Sequence, residues 1–266
     1  MINFLKWSVW EMIPPKAYET FHLSFLIGGI LTCILLEFLC RNLSQKKLDI
    51  ILFIVGLILV ISEVYKQLFY TYIIGDGQYQ WWIFPFQLCS VPMYLCLVIP
   101  FIKEGKIKKS FYLFLSTYNL LGGFVAMFEP SGLSHSYWTL TLHAYIWHLL
   151  LVFIGFLIIF NKKGLMQIDD MIYSLNLFGI LCVIAQIINI LFKDTGLRMF
   201  YISPYNPTPI IVFKSIEAHM GWFANMVIYC MALTIGATLF GLLSITINKI
   251  RYKLTYKIQS KELRKK

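Results

Sequence analysis

The chain has 266 residues, of which 59% are hydrophobic and 14% are charged, and its mean hydropathy is +0.71. This composition lies far from that of water-soluble domains and excludes a soluble globular enzyme. The formal charge of +10 resides in short loops between apolar stretches and in the C-terminal tail, which is typical of a membrane protein and does not indicate a nucleic-acid-binding protein.

Seven apolar stretches are each long enough to cross the hydrocarbon core of a bilayer, about 30 Å, as an α-helix. They predict an all-α, polytopic membrane bundle of about seven transmembrane helices. The fourth stretch is short and is interrupted by Tyr118, Asn119 and two glycines. The predicted spans are residues 21–40, 50–72, 82–102, 110–128, 137–160, 171–192 and 221–247.

The lysines and arginines predict the topology. They follow the first, third, fifth and seventh spans, with Lys162 and Lys163 after the fifth, whereas the connections after the second and fourth spans have none. By the positive-inside rule the N-terminus lies outside and the C-terminus lies in the cytoplasm. We therefore predict an N-terminal interfacial segment (1–20), a transmembrane domain (21–248) and a basic cytoplasmic tail (249–266) that contacts anionic lipid head groups.

Polar side chains within the spans gather in one layer. At a rise of 1.5 Å per residue, most of them lie about 9 to 16 Å from the outer end of their span. Polar groups in the hydrocarbon region are costly and are by default functional candidates. The layer predicts a cavity that opens toward the outer leaflet and involves Glu63, Lys66, Gln87, Cys89, Asn119, His143, His148, Gln186 and Asn189.

Within this layer, Cys89 lies between Pro85 and Pro92, which leave helix hydrogen-bonding groups unpaired and let the backbone bend beside a thiol. A buried cysteine alone is more often a small apolar residue than a nucleophile. His143 and His148 are about 140° apart around a helix, so we expect only one of them to face a small site. A single membrane histidine can equally well form a bond between helices or take part in catalysis.

A structural interpretation of the layer is also open. Glu63 and Lys66 are three residues apart on one helix and could simply neutralise each other. No metal site is predicted, because no two ligands have the spacing that presents them on one helix face. Phosphate-binding loops and hydrolase motifs are absent from the sequence, and we expect no cofactor.

Four motifs occur in an order that resembles the YwaF-like family of bacterial integral membrane proteins over nearly the whole chain. That family is distantly similar to the eukaryotic transmembrane protein that acts as an ether-phospholipid acyltransferase, and more remotely to membrane hydrolases of fatty-acid esters. The resemblance implies a location in the bacterial cytoplasmic membrane. The motifs are Glu63 in span two, FPFQLCS (84–90) in span three, YNLLGGFVAMFEP (118–130) at span four, and His148 in span five.

The resemblance implies a lipid acyltransferase or lipid hydrolase. Carried over to this sequence, it assigns Cys89 as the catalytic nucleophile and His148 as the catalytic base, with His143 as the alternative base. The implied partners are a membrane phospholipid or a lysophospholipid. In this hypothesis, Glu63 orients the histidine or holds a head group.

Further roles and rival functions depend on the other polar residues. Gln87 or Asn119 could donate a hydrogen bond to the oxyanion. The main rival is a non-catalytic carrier or sensor that binds a small amphiphile in the same cavity through Glu63 and Lys66. A purely structural or assembly role is the third hypothesis, and it predicts that substitutions in the layer change only stability.

Overall fold

The structure is a computed structural model that describes residues 2–161 and 167–263 and is almost entirely helical. Within these residues, six helices are long and apolar enough to cross a membrane, which confirms the predicted all-α membrane bundle. In chain order the helices are α1 (Ile2–Trp7), α2 (Thr20–Leu39), α3 (Gln45–Ile74), α4 (Val91–Phe101), α5 (Lys106–Phe128), α6 (Trp138–Asn161), α7 (Ile168–Leu191) and α8 (Ile211–Leu263).

The third predicted span is not a full-length helix. Residues 84–90 are non-helical, and α4 begins only at Val91. Pro85 has no backbone N–H, and it restricts Phe84 to an extended conformation (φ −48°, ψ 131°) that does not continue a helix. The prediction of a full-length helical span over 82–102, bent at its prolines, is therefore wrong in its first half. Non-helical backbone at membrane depth is tolerated where protein encloses it or where it lines a cavity, so this segment is a place to look for a site.

Helix α6 occupies the centre of the bundle. Helices α2, α3 and α5 pack on it, while α7 and α8 pack on α5. Leu151 and Ile154 of α6 are fully buried, as are Phe114 and Leu115 of α5. Because lipid is as apolar as these side chains, close packing rather than escape from water holds such helices together.

Helix α5 approaches α6 unusually closely. A side-chain carbon at Gly123 would lie 3.2 Å from the carbonyl oxygen of His148 and 3.0 Å from Val152, which is closer than ordinary van der Waals contact, so the glycine permits this approach without displacing α6. The helix is broken at Thr117 (φ −122°, ψ −82°), next to the interruption that the sequence predicts. Together the break and the close contact fix the turn of α6 that carries His148.

Two ion pairs join α3, α5 and α7 at the end of the bundle where α3 and α5 begin. Lys108 Nζ lies 2.7 Å from the carboxylate of Asp49, which also accepts a hydrogen bond from Tyr112. Lys109 Nζ lies 2.6 Å from the carboxylate of Asp170, and the Lys109 side chain keeps 33% exposure. The first pair is buried, and the pairing offsets the cost of burying its charges. No pattern in the sequence predicts these contacts.

The N-terminal segment is attached to the start of α6. After α1 the chain is mostly extended, and the N–H of Trp138 donates a hydrogen bond of 2.8 Å to the carbonyl of Trp10. The N–H of Met12 donates to the carbonyl of Ser136 at 2.9 Å. Trp7 and Ile13 remain largely exposed. Residues 1–20 as an interfacial segment stay a prediction.

Helix α8 is interrupted at Gly221, whose φ of 81° is a left-handed conformation that favours glycine. Beyond the break the backbone stays helical to Leu263, so the predicted basic tail continues α8 over the described residues. Lys162 and Lys163, on which the topology prediction partly rests, lie outside the described residues. The orientation of the termini stays a prediction.

Candidate functional site

A cavity of about 370 Å³ lies between the C-terminal half of α3, the N-terminal half of α6, the non-helical segment 84–90 and the connection between α7 and α8. Its volume is at the small end of the range for small-molecule sites, about 300–1,000 Å³. Aromatic side chains form much of the wall, including Trp82, Phe84 and Trp147. The polar lining residues are Glu63, Lys66, Tyr70, Gln87, Cys89, Ser90, His135, His143, His148, Arg198 and Tyr201.

The cavity brings together two thirds of the predicted site residues. The exceptions are Asn119, Gln186 and Asn189, which do not belong to the lining. The expectation that only one of His143 and His148 faces the site is wrong. The cavity extends along more than one turn of α6, so both residues belong to its lining. The predicted residues that line it are Glu63, Lys66, Gln87, Cys89, His143 and His148.

Two of the three remaining residues bind backbone groups. Asn119 Nδ2 donates to the carbonyls of Leu115 at 2.8 Å and Leu151 at 2.9 Å, so both of its amide hydrogens are used. This geometry gives no support to the oxyanion role predicted for Asn119. Asn189 donates to the carbonyl of Met199 at 3.1 Å and accepts from its N–H at 2.6 Å. Asn189 therefore clamps the connection between α7 and α8 from outside the cavity.

The main chain around Cys89 is fixed from two sides. Trp147 Nε1 donates a hydrogen bond of 3.0 Å to the carbonyl of Cys89. Gln87, two residues earlier, donates through Nε2 to the carbonyl of Arg198 and accepts through Oε1 from the N–H of Phe200, each at 3.0 Å. A segment that cannot form helical hydrogen bonds thus satisfies its polar groups through α6 and the α7–α8 connection.

The hydrogen bonds of His148 determine which of its ring nitrogens is basic. Nδ1 lies 2.8 Å from the carbonyl oxygen of Ala144. A carbonyl can only accept, so Nδ1 carries the proton of the neutral ring and Nε2 is left with the lone pair. Among the described residues no hydrogen bond joins His148 to Cys89. Such contacts are often absent in unliganded sites and form when substrate binds.

The ring of His143 stacks on Trp147, with centroids 5.5 Å apart and an interplanar angle of 27°. Its Nε2 is buried and has no hydrogen-bond partner within residues 2–161 and 167–263. A buried polar atom without a partner is costly. Because this atom is fully buried, His143 offers no accessible ring nitrogen at Nε2 to the cavity.

Glu63 and Lys66 form an ion pair in the cavity wall. Lys66 Nζ lies 2.8 Å from the carboxylate, and Gln67 Nε2 donates to its other oxygen at 2.6 Å. The Glu63 side chain is 5% exposed and that of Lys66 is 21% exposed. Lys66 Nζ also lies 6.0 Å from the centroid of the Trp147 ring. In this geometry Glu63 pairs with Lys66. Among the described residues, Glu63 makes no hydrogen bond to His143 or His148.

Arg198 and Tyr201 also line the cavity, and the sequence analysis did not select them. They belong to the proline-rich α7–α8 connection, whose position beside the cavity is set by tertiary contacts. Phe200 and Tyr201 have φ of 55° and 57°, a left-handed conformation that is strained for aromatic residues. Phe200 is held there by parallel stacking on Phe86, with centroids 5.7 Å apart. Such strain often occurs at functional sites.

His135 is a further lining residue that the sequence analysis did not identify. It lies in the loop before α6, where its N–H and carbonyl both bond to the Thr141 hydroxyl and its Nδ1 lies 3.5 Å from the Tyr70 hydroxyl. Burial, followed by the positive charge of Lys66, lowers the pKa of His135. The described residues contain no group of three or more His, Cys, Asp or Glu side chains that could hold a metal ion.

Residues 17–243 match the model of the TMEM164 family. The match extends from just before α2 into α8 and so includes every element that lines the cavity. No curated protein matches the chain. No solved structure matches it either.

Proposed function

The chain belongs to the TMEM164 family and is an integral membrane protein, and on this premise we propose that it is a lipid acyltransferase or lipid hydrolase. Cys89 is the proposed nucleophile and His148 the proposed base. We further propose that the cavity faces the outer leaflet of a bacterial cytoplasmic membrane, in keeping with the YwaF-like resemblance. The basic tail would then contact anionic lipid on the cytoplasmic side.

The observation that carries this proposal is that Cys89 and His148 line one cavity, while Nδ1 of His148 is occupied by the carbonyl of Ala144. The lone pair of Nε2 is then available to accept a proton. A base is required because a thiol enclosed by protein ionises poorly, and the thiolate is the reactive species.

The proposed reaction has two steps. First, the Cys89 thiol gives its proton to His148 Nε2, and the sulfur attacks the carbonyl carbon of a lipid ester. The ester C–O bond breaks, the leaving lysolipid oxygen takes the proton from the imidazolium, and the acyl group remains on Cys89 as a thioester. Second, His148 removes a proton from a lysolipid hydroxyl or from water, whose oxygen attacks the thioester and releases the thiol.

We propose that Gln87 assists the reaction. One of its amide hydrogens binds the carbonyl of Arg198, which leaves the second for the oxyanion that develops on the ester. The cavity volume of about 370 Å³ suits the ester and part of the head group. The acyl chains would extend from the cavity into the surrounding lipid.

Acyl exchange between a labelled phospholipid and a lysophospholipid tests this proposal. We expect Cys89→Ala and His148→Ala each to abolish exchange while the protein keeps its helical content and its elution volume in detergent. Cys96→Ala is the matched control, because Cys96 is fully buried on α4 and does not line the cavity. Exchange that survives in either cavity variant would exclude the mechanism.

The Glu63–Lys66 pair favours a second candidate function, a non-catalytic carrier or sensor for a small amphiphile. A buried ion pair in a cavity wall can bind a polar head group without any nucleophile. This function predicts that lipid co-purifies with the wild type and with Cys89→Ala alike. It also predicts that Glu63→Gln releases the lipid, whereas an acyltransferase requires Cys89 for turnover.

A further inference from the structure

The charges in the cavity wall are unbalanced. The lining contains two basic side chains, Lys66 and Arg198, and one carboxylate, Glu63. Glu63 is bound to Lys66, and among the described residues no carboxylate pairs with Arg198. One basic side chain of the cavity wall is therefore left without a counter-charge, which favours an anionic ligand.

Arg198 is held in place by its main chain while most of its guanidinium is left available. Its carbonyl accepts from Gln87, and the clamp of Asn189 on Met199 fixes the next residue. Within the described part of the chain, the guanidinium donates one hydrogen bond, from Nη1 to the carbonyl of Pro207 at 3.2 Å. Since a guanidinium has five N–H donors, the remaining ones are available to a ligand.

We propose that Arg198 and Lys66 together bind the phosphate of a glycerophospholipid, and that this subsite makes the protein select phospholipids over uncharged glycerides. That the bound phospholipid reacts rests on the proposed function above, whereas the binding of its phosphate does not. A phosphate can accept two parallel hydrogen bonds from a guanidinium and a further one from an ammonium. Glu63 then positions Lys66, instead of holding the head group itself.

The subsite adjoins the proposed nucleophile. Gln87 bonds to the carbonyl of Arg198 and lies two residues from Cys89, and Lys66 lies against Trp147, which donates to the carbonyl of Cys89. A phosphate bound between the two cations would place the ester of the same molecule near the thiol. Binding energy from the head group would then orient the reacting bond.

Equilibrium binding to the Cys89→Ala protein tests the inference, because residue 89 of this variant has no nucleophile and cannot be acylated. The probes are a fluorescent lysophosphatidylcholine, the monoacylglycerol with the same chain, and the corresponding fatty acid. We expect the lysophospholipid to bind at least about tenfold more tightly than the monoacylglycerol. Arg198→Gln should weaken lysophospholipid binding by about ten- to a hundredfold and leave the monoacylglycerol unaffected.

Two further variants sharpen the test. Arg198→Lys keeps the charge but loses the planar guanidinium, which can donate two parallel hydrogen bonds to a phosphate. The affinity of this variant for the lysophospholipid should therefore lie between those of the parent and of Arg198→Gln. Lys193→Gln removes a cation from the same connection at an exposed position outside the cavity, and it should bind all three probes like the parent. The comparison of probes on the parent protein needs no further variant and holds even if a substitution impairs folding.

Equal affinity for lysophospholipid and monoacylglycerol would overturn the inference, and so would tightest binding of the fatty acid or a folded Arg198→Gln protein that binds like the parent. Acyl exchange is measured separately on the wild type. Phosphate-dependent binding without any exchange would leave this inference intact and remove the enzyme proposal. Exchange at equal rates on neutral glycerides would remove this inference alone.

Discussion

Trp147 Nε1 donates a hydrogen bond of 3.0 Å to the carbonyl oxygen of Cys89, and this bond connects the central helix α6 to the non-helical segment that carries the proposed nucleophile. The same indole stacks on His143 and lies near Lys66. Trp147 itself is 4% exposed. One buried side chain therefore sets the relative positions of three cavity residues.

Replacing Trp147 by Phe removes this hydrogen bond but keeps an aromatic ring for His143. The Cys89 carbonyl loses its donor, which costs about 1–3 kcal/mol when a buried group is left unpaired. We expect the acyl-exchange rate to fall roughly tenfold or more while the protein stays folded. Exchange kinetics and a thermal melt in the same detergent measure both effects. An unchanged rate would show that the bond does not position Cys89.

The Glu63–Lys66 pair should behave as a coupled unit in stability measurements. Lys66→Met leaves a buried carboxylate without its cation. Removing one partner of a fully buried pair costs about 3–5 kcal/mol, and we expect a loss toward or below the lower end because Lys66 keeps 21% exposure. The double variant Glu63→Gln/Lys66→Met should recover most of the loss. Additive losses in unfolding by denaturant would argue against coupling.

Asn189→Ala tests whether the hydrogen bonds between Asn189 and Met199 hold the α7–α8 connection in place. The substitution leaves the N–H of Met199 without its partner at a fully buried position, at a cost of about 1–3 kcal/mol, while the carbonyl of Met199 keeps the hydrogen bond from the N–H of Ile202. Binding of the lysophospholipid probe should also weaken, because Asn189 holds Met199 and Met199 directly follows Arg198 in the chain. Asn176→Ala, at an exposed position of the same helix, is the matched control and should change neither quantity.

Stability should depend on pH through His135. Because burial and Lys66 lower the pKa of this histidine, the folded protein keeps it neutral at a pH where the unfolded chain, with a pKa of about 6.5, already binds a proton. Acidification from pH 7 to pH 5 therefore favours unfolding. We expect the melting temperature to fall over this range by a few degrees more in the wild type than in His135→Gln. His219→Gln, an exposed position on α8, should behave like the wild type.

The helices were largely predictable from the sequence, because membrane spans are long apolar stretches that do not depend on distant contacts. The failure at 82–102 has a local cause. Hydropathy registers only that these residues are apolar, whereas Pro85 and the hydrogen bond from Trp147 to the Cys89 carbonyl favour a non-helical first half. The prolines signalled a bend but not its extent.

The candidate site was predictable only in part. The position of each residue along its span correctly predicted that Glu63, Cys89 and His148 lie in one layer. Position along a span does not predict the hydrogen-bond partners of a side chain. Asn119 lies in the predicted layer and uses its amide hydrogens on backbone carbonyls. Arg198 was not selected because it lies in a loop whose return to the cavity depends on tertiary contacts with Gln87.

The proposed mechanism requires that Cys89 carry the acyl group. Purified protein is incubated with a phospholipid labelled in its acyl chain, quenched in acid and digested, and the peptides are analysed by mass spectrometry. We expect the labelled acyl mass on the peptide that contains Cys89, its absence from Cys89→Ala, and its persistence in Cys96→Ala. Turnover of the phospholipid without an adduct on Cys89, or an adduct on the same peptide of Cys89→Ala, would exclude this mechanism.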